Sequence, residues 1–275
     1  TLSSTAAIVT SPILDSLRLN LDAGDPASYS GSGTTWTDLS GNSRNGSLIS
    51  SPLFSSANGG ILDFNGTSQY VTTPSVRSEV FTVEAWVRFN ALNNNYACVV
   101  TNQYSADKIN YSICFWGNST IRAGYHQAGT GWIGGQTGAF TPVVGTWYQL
   151  VYRVEKIGTN YIGSLFQNGN LVAGQTTSTI APNNDQLVDR IGVGWNSGVF
   201  INGSIPVVRI YNRALSATEI NQNYNALLPR FSNTPSNAIT ITTTRVLPLP
   251  QASITPGSER EIKPSRFQIR LQEFR

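Results

Sequence analysis

The feature that most restricts this chain is a strict two-residue alternation in Phe81-Thr82-Val83-Glu84-Ala85-Trp86-Val87-Arg88-Phe89. Successive side chains of an extended strand point to opposite faces. Phe81, Val83, Ala85, Val87 and Phe89 therefore share one face and reach a core together. A helix would scatter the same residues around its axis. The pattern predicts a strand with one buried side. It recurs from Trp147 to Val154, where Tyr148, Leu150, Tyr152 and Val154 fall together. Two short runs between 164 and 172 flank Asn168-Gly169. That pair tolerates positive φ at both turn positions, so it predicts a tight hairpin. Further runs lie at 61–64, 97–101, 111–116, 121–125, 187–193 and 205–211. Many short strands with Gly-rich turns predict an all-β antiparallel two-sheet jelly-roll sandwich.

Composition agrees. Charged residues make up 12% of the 275, about half the usual share of roughly 25%. Asn, Ser, Thr and Gly fill the deficit, which argues against a coiled coil, a helical bundle or a charge-rich disordered chain. No run of 18 apolar residues predicts a membrane span. The chain has no Met and begins with Thr1, so it is expected to be processed or a piece of a longer product.

One helix is expected. Ser216-Ala217-Thr218-Glu219 has capping-box spacing, and Ile220, Tyr224 and Leu227 follow at helical intervals. Pro229 is expected to stop it, giving a short helix over 217–227. Beyond it the composition changes. Pro235, Pro248, Pro250, Pro256 and Pro264 alternate with Ser/Thr runs, and then Phe267, Ile269 and Leu271 alternate with polar residues. Residues 229–275 thus read as an extended arm ending in a strand, and such a strand needs a sheet edge to pair with. Residues 1–12 read as an N-terminal extension, and 13–228 as the folded domain. Lys/Arg and Asp/Glu balance at 12 each through residue 230, so the whole net charge of +3 lies in residues 231–275. Arg245, Arg260, Lys263, Arg266, Arg270, Phe267, Ile269, Leu271 and Phe274 are the expected partner contacts, made to another structural subunit of an oligomer or larger assembly. Interleaved Glu259, Glu261 and Glu273 argue against nucleic-acid binding.

Four segments carry a family resemblance. They are Leu19–Pro26 with Trp36–Asn42, then Ile61–Thr67 with Tyr70-Val71, then Phe81–Val87, then Arg209–Ile220. In this order they resemble the laminin-G-like, concanavalin-A-like lectin/glucanase family over about residues 13–228. The resemblance implies a jelly-roll sandwich. It does not select a function, because such folds carry glycan-binding modules, adhesion domains, virion proteins and glucanases alike.

Catalytic signatures are sparse. Glucanases of this fold resemble one another in an E-x-D-x-E strand, whose paired carboxylates serve as nucleophile and acid/base. No such strand exists here; Asp22 and Asp25 are the nearest approach, and Glu84 has Thr82 and Trp86 as same-face neighbours. The single histidine, His126, supports neither a metal cluster nor a nucleophile elbow. Cys98 and Cys114 are symmetric about residue 106. A hairpin turning there sets them opposite each other, either as a disulfide or as two buried thiols. Asp22, Asp25, Asp38 and Asn42 are candidate oxygen ligands for calcium, or ordinary turn formers. Asn65 and Gln69 stand where the resembling family often has Asp. The aromatic loop Gly124–Trp132 offers Tyr125, His126 and Trp132 as glycan contacts, with Trp195 and Asn196 as a second group; partial burial is the alternative for Trp132. Trp36, Trp86 and Trp147 are expected in packing.

The leading expectation is a non-enzymatic structural or decorating subunit of an extracellular assembly, such as a phage virion. The arm would anchor it, and its surface would be free to meet host glycans. The alternative is a carbohydrate-binding adhesin or lectin module of a bacterial surface protein.

Overall fold

The computed structural model describes residues 11–232 apart from 93–95, 106–107, 128–129, 173, 183–187 and 195–197. In chain order the strands begin with β1 (Leu17–Asp22), β2 (Thr35–Trp36), β3 (Gly46–Ile49), β4 (Leu53–Ser55), β5 (Ile61–Asn65) and β6 (Tyr70–Pro74). They continue with β7 (Phe81–Phe89), β8 (Cys98–Ser105), β9 (Lys108–Trp116), β10 (Thr120–Gln127), β11 (Gly131–Phe140) and β12 (Trp147–Ile157). Last come β13 (Asn160–Gln167), β14 (Asn170–Leu171), β15 (Thr176–Ser178), β16 (Val188–Ile191) and β17 (Asn202–Tyr211), then the helix α1 (Ala217–Phe231). No described helix is long and apolar enough to cross a membrane.

Two antiparallel sheets form. The first runs β14-β13-β12-β7-β17-β5-β4, with β1 added to β17 and β15 to β13. The second runs β11-β10-β9-β8-β16-β6-β3-β2. Alternation chooses the core as expected. Phe81, Val83, Ala85, Val87 and Phe89 meet Tyr148, Leu150, Tyr152 and Val154 from the neighbouring strand, and Ile113, Phe115 and Ile121 from the opposite sheet. The 164–172 hairpin forms at Asn168 (φ 52°) and Gly169 (φ 77°).

Two expectations about this sheet are corrected. β7 is buried on both faces, because α1 lies across its outer side. Trp86 stacks on Tyr224 at 5.6 Å and on Phe231 at 4.4 Å, and Phe231 in turn lies 4.7 Å from Trp147. Glu84 is fully buried beneath the helix. It accepts hydrogen bonds from Gln149 Nε2 (2.9 Å) and Asn223 Nδ2 (2.7 Å), with Arg209 at 3.6 Å. A buried carboxylate is costly unless it is hydrogen-bonded and paired in this way. The helix also runs through Pro229 to Phe231 instead of stopping at 227. Proline removes a hydrogen bond and crowds the preceding turn. Here tertiary contacts offset that cost. Arg230 donates to Asp22 Oδ1 (2.6 Å) and to the carbonyls of Asn58 (2.6 Å) and Gly60, while Phe231 enters the aromatic stack. The expected capping box is present, with Ser216 Oγ accepting from Glu219 N and Glu219 accepting from Ser216 N.

Candidate functional site

The second sheet has an outer face that no helix covers among the described residues. Its composition follows from the alternation. Ile113, Phe115, Ile121, Ala123 and Tyr125 enter the core. Cys114, Trp116, Arg122, Gly124 and His126 therefore point the other way. Trp116 and Trp132 approach to 5.3 Å between ring centroids, at 39°. Tyr96 meets Trp116 edge-on at 4.9 Å, and the Arg122 guanidinium lies 5.7 Å from the same ring. Trp132 sits opposite His126 in the β10–β11 ladder. Its indole crosses the backbone of Gly124, where a Cβ would lie 2.8 Å from the ring and 2.7 Å from the Ile133 carbonyl. Glycine at 124 is what lets the indole lie down on the sheet. Beneath these partly exposed side chains runs a floor of small buried residues: Thr101, Ser112 and the Cys98–Cys114 pair. Trp132 Nε1, His126 Nδ1 and Gln127 Oε1 are buried and have no hydrogen-bond partner among the described residues. The arrangement is an aromatic platform flanked by the partly exposed His126 and Gln127 side chains.

One carboxylate belongs to the strands of this sheet, and it faces inward. Asp189 is fully buried and accepts from Tyr111 Oη (2.6 Å), Val76 N (2.9 Å) and Asn102 Nδ2. Burial pushes its pKa up to about 7, against the opposing effect of those hydrogen bonds and of Arg44.

The expected site residues separate. Trp132 and His126 do share the outer face. Trp132, expected in a loop between glycines, is instead the second residue of strand β11. Tyr125 is corrected. It points into the core and donates to the Ile180 carbonyl at 2.7 Å, and burial raises its pKa to about 12. The alternation that turns His126 outward necessarily turns Tyr125 inward. Trp195 and Asn196 lie outside the described residues, as do arm residues Arg245, Arg260, Lys263, Arg266, Phe267, Ile269, Arg270, Leu271 and Phe274. Tyr96, Trp116 and Arg122 were missed. The run 111–116 was available as a signal, because a core-facing Phe115 places Trp116 on the opposite face.

Cys98 and Cys114 are ladder partners and form a disulfide. The calcium candidates are engaged elsewhere. Asp22 pairs with Arg230 at 2.6 Å, and Asp25 caps its own turn through Ala27 N at 2.9 Å. Asp38 accepts from the backbone N–H groups of Asn20, Ser40 and Arg44 at 2.9–3.0 Å, and Asn42 donates to Ser40 Oγ. Among the described residues no group of three or more His, Cys, Asp or Glu side chains is arranged to hold a metal ion. Trp36 and Trp86 are buried in packing, as expected, and Trp147 packs partly buried against Phe231.

Residues 65–221, more than half of the chain, match the sequence model of the concanavalin A-like lectin/glucanases superfamily. The chain belongs to this superfamily. The lectin/glucanase-type fold is shared with domain 4 of AbnA, an extracellular arabinanase from Geobacillus stearothermophilus solved with arabinotriose. That match has a TM-score of 0.61 at 17% identity and covers 76% of this chain and 98% of that one. The receptor-binding domain of botulinum neurotoxin type G matches with a TM-score of 0.56 at 16% identity, over 76% of this chain and 51% of that one. Trypanosoma rangeli sialidase matches with a TM-score of 0.57 at 15% identity, over 82% of this chain. The chain thus spans about half of the toxin domain and 37% of the sialidase. No curated protein matches the chain.

Proposed function

We propose that this lectin/glucanase-type domain is an extracellular carbohydrate-binding module, and that the outer face of its second sheet holds the sugar without cleaving it. The observation that carries the reading is the Trp116–Trp132 pair laid over Gly124, with Tyr96 and Arg122 beside it. Sugar rings present flat C–H faces that pack on indoles, and their hydroxyls take hydrogen bonds from groups at the platform edge. The partly exposed His126 and Gln127 side chains, beside Trp132 in the ladder, can exchange hydrogen bonds with those hydroxyls. The AbnA domain, solved with arabinotriose, supports the ligand class. Hydrolysis would need two carboxyl groups flanking the bond. The strands of the second sheet carry one carboxylate, Asp189, on the inner side. The disulfide favours an oxidising compartment. The assembly role rests on residues 229–275, nearly all of which lie outside the described residues.

The test is a glycan array followed by calorimetry on the full chain and on Trp116→Ala and Trp132→Ala. Each variant is expected to lose about tenfold in affinity, roughly 1.4 kcal/mol, with no release of reducing ends by the wild type. An array silent for every glycan, or affinities unchanged in both variants, refutes the reading.

A further inference from the structure

The sheet that carries the Trp116–Trp132 pair holds further rings at one end of its outer face, and this inference rests on the binding reading above. Tyr70 begins β6 next to core-facing Val71, and Phe200 precedes core-facing Ile201, so alternation turns both outward. Both are partly exposed, and their rings meet at 6.1 Å between centroids. Register fixes where they lie. Cys114 of β9 pairs with Cys98 of β8, Val100 of β8 with Ile191 of β16, and Ile191 with Val71 of β6. Just beyond these pairs, at one end of the sheet, stand Trp116 on β9, Tyr96 ahead of β8, Gly194 after β16 and Tyr70 at the start of β6. Phe200 joins them through its bridge to Val193.

Gly194 links the two groups of rings. Its N–H donates to the Val199 carbonyl at 2.7 Å on one side, and on the other a Cβ would collide with the Tyr96 carbonyl oxygen. Glycine is needed there for the chain to pass so close. Tyr96 itself has φ 60°. An aromatic residue seldom adopts that backbone, and positions held in it gather at ligand sites. Its ring stands edge-on to Trp116 at 4.9 Å, and Trp116 meets Trp132 at 5.3 Å. The rings therefore form a row that crosses the strands from β11 to β6. Five strand intervals separate those two strands, roughly 24 Å at about 4.8 Å each. That is the length of several sugar rings in a chain, and far more than one sugar covers.

We infer that this face takes a stretch of a linear polysaccharide chain, which runs across the strands and rests its rings on Trp132, Trp116, Tyr96 and the Phe200–Tyr70 pair. A single terminal sugar would use only one part of the row. Each further ring adds a C–H face packed on an aromatic side chain, so affinity must grow with chain length. The full chain is titrated with cello-, xylo- and arabino-oligosaccharides, each as trimer and as hexamer. Wild type, Phe200→Ala, Tyr70→Ala, Tyr70→Phe and Trp132→Ala are compared, with thermal unfolding as the check on folding.

In at least one series the hexamer is expected to bind about tenfold or more above its trimer. Phe200→Ala and Tyr70→Ala should each cost the hexamer about tenfold and leave the trimer unchanged, because the trimer is held by the Trp116–Trp132 end. Tyr70→Phe keeps the ring and should keep the affinity, whereas Trp132→Ala should weaken both lengths. Trimer and hexamer bound alike in every series that binds, and dependent on Trp132, overturn the extended row and leave carbohydrate binding intact. Hexamer binding indifferent to both Phe200→Ala and Tyr70→Ala also overturns it. So does the absence of binding in all three series, and a glycan found on the array would then leave the carbohydrate reading standing. Silence of every probe and of the array removes both readings together.

Discussion

Asp189→Asn offers a sharp test of the interior. The carboxyl is fully buried and its pKa is pushed from 3.8 up to about 7, with desolvation the largest cause. A group whose folded pKa is raised contributes stability that is fully present below the unfolded value and is lost as pH rises through the folded one. The window here runs from about pH 4 to about pH 7. A tenfold difference in proton affinity between the folded and unfolded chain is worth about 1.4 kcal/mol, so the whole window spans roughly 4 kcal/mol, and the interval from about pH 5 to about pH 8 holds about 2–3 kcal/mol. Asparagine at 189 imitates the protonated acid. Its Oδ1 accepts from Val76 N, and its Nδ2 donates to Asn102 Oδ1 once that amide turns over; this oxygen is buried and has no partner with the carboxylate in place. Equilibrium urea unfolding of both proteins at matched pH values measures the difference, and contributions from other titrating groups cancel in it. Wild type should lose about 2–3 kcal/mol relative to Asp189→Asn between about pH 5 and about pH 8. Parallel pH profiles would falsify the claim that this buried carboxyl holds a proton near neutrality.

Three further outcomes follow from the packing. Phe231→Ala empties the centre of the stack formed with Trp86 and Trp147, and should cost about 3–5 kcal/mol by calorimetry; an unchanged melting temperature would mean the helix end is not docked. Replacing Cys98 and Cys114 together by Ser removes a bridge with a sequence separation of 16, for a loss of about 3 kcal/mol in denaturant unfolding. Gly124→Ala places a methyl group 2.8 Å from the Trp132 indole. It should weaken sugar binding as much as Trp132→Ala does, at a folding cost of about 1–3 kcal/mol, and full affinity in the variant would show that the indole need not lie flat.

The site was legible only in part. Trp132 and His126 were legible as candidates because an indole among glycines is unusual in a strand pattern. Alternation from Phe115 and Ile121 puts Trp116 and Arg122 outside as well. Tyr125 has the chemistry of a glycan contact, but its register position sends it to the core.

The local pattern determined which residues would be strands, where the Asn168-Gly169 hairpin and the capped helix start, that Cys98 could face Cys114, and which residues of each strand share a face. These follow from side-chain periods of two and from turn chemistry, both short-range. Only the tertiary structure decided that α1 passes through Pro229 to bury Phe231, that Glu84 lies beneath that helix, and that Trp116 and Trp132 of separate strands meet on the outer face of the second sheet. Those outcomes depend on which face meets a second layer and which meets water, and strand alternation is the same in either case.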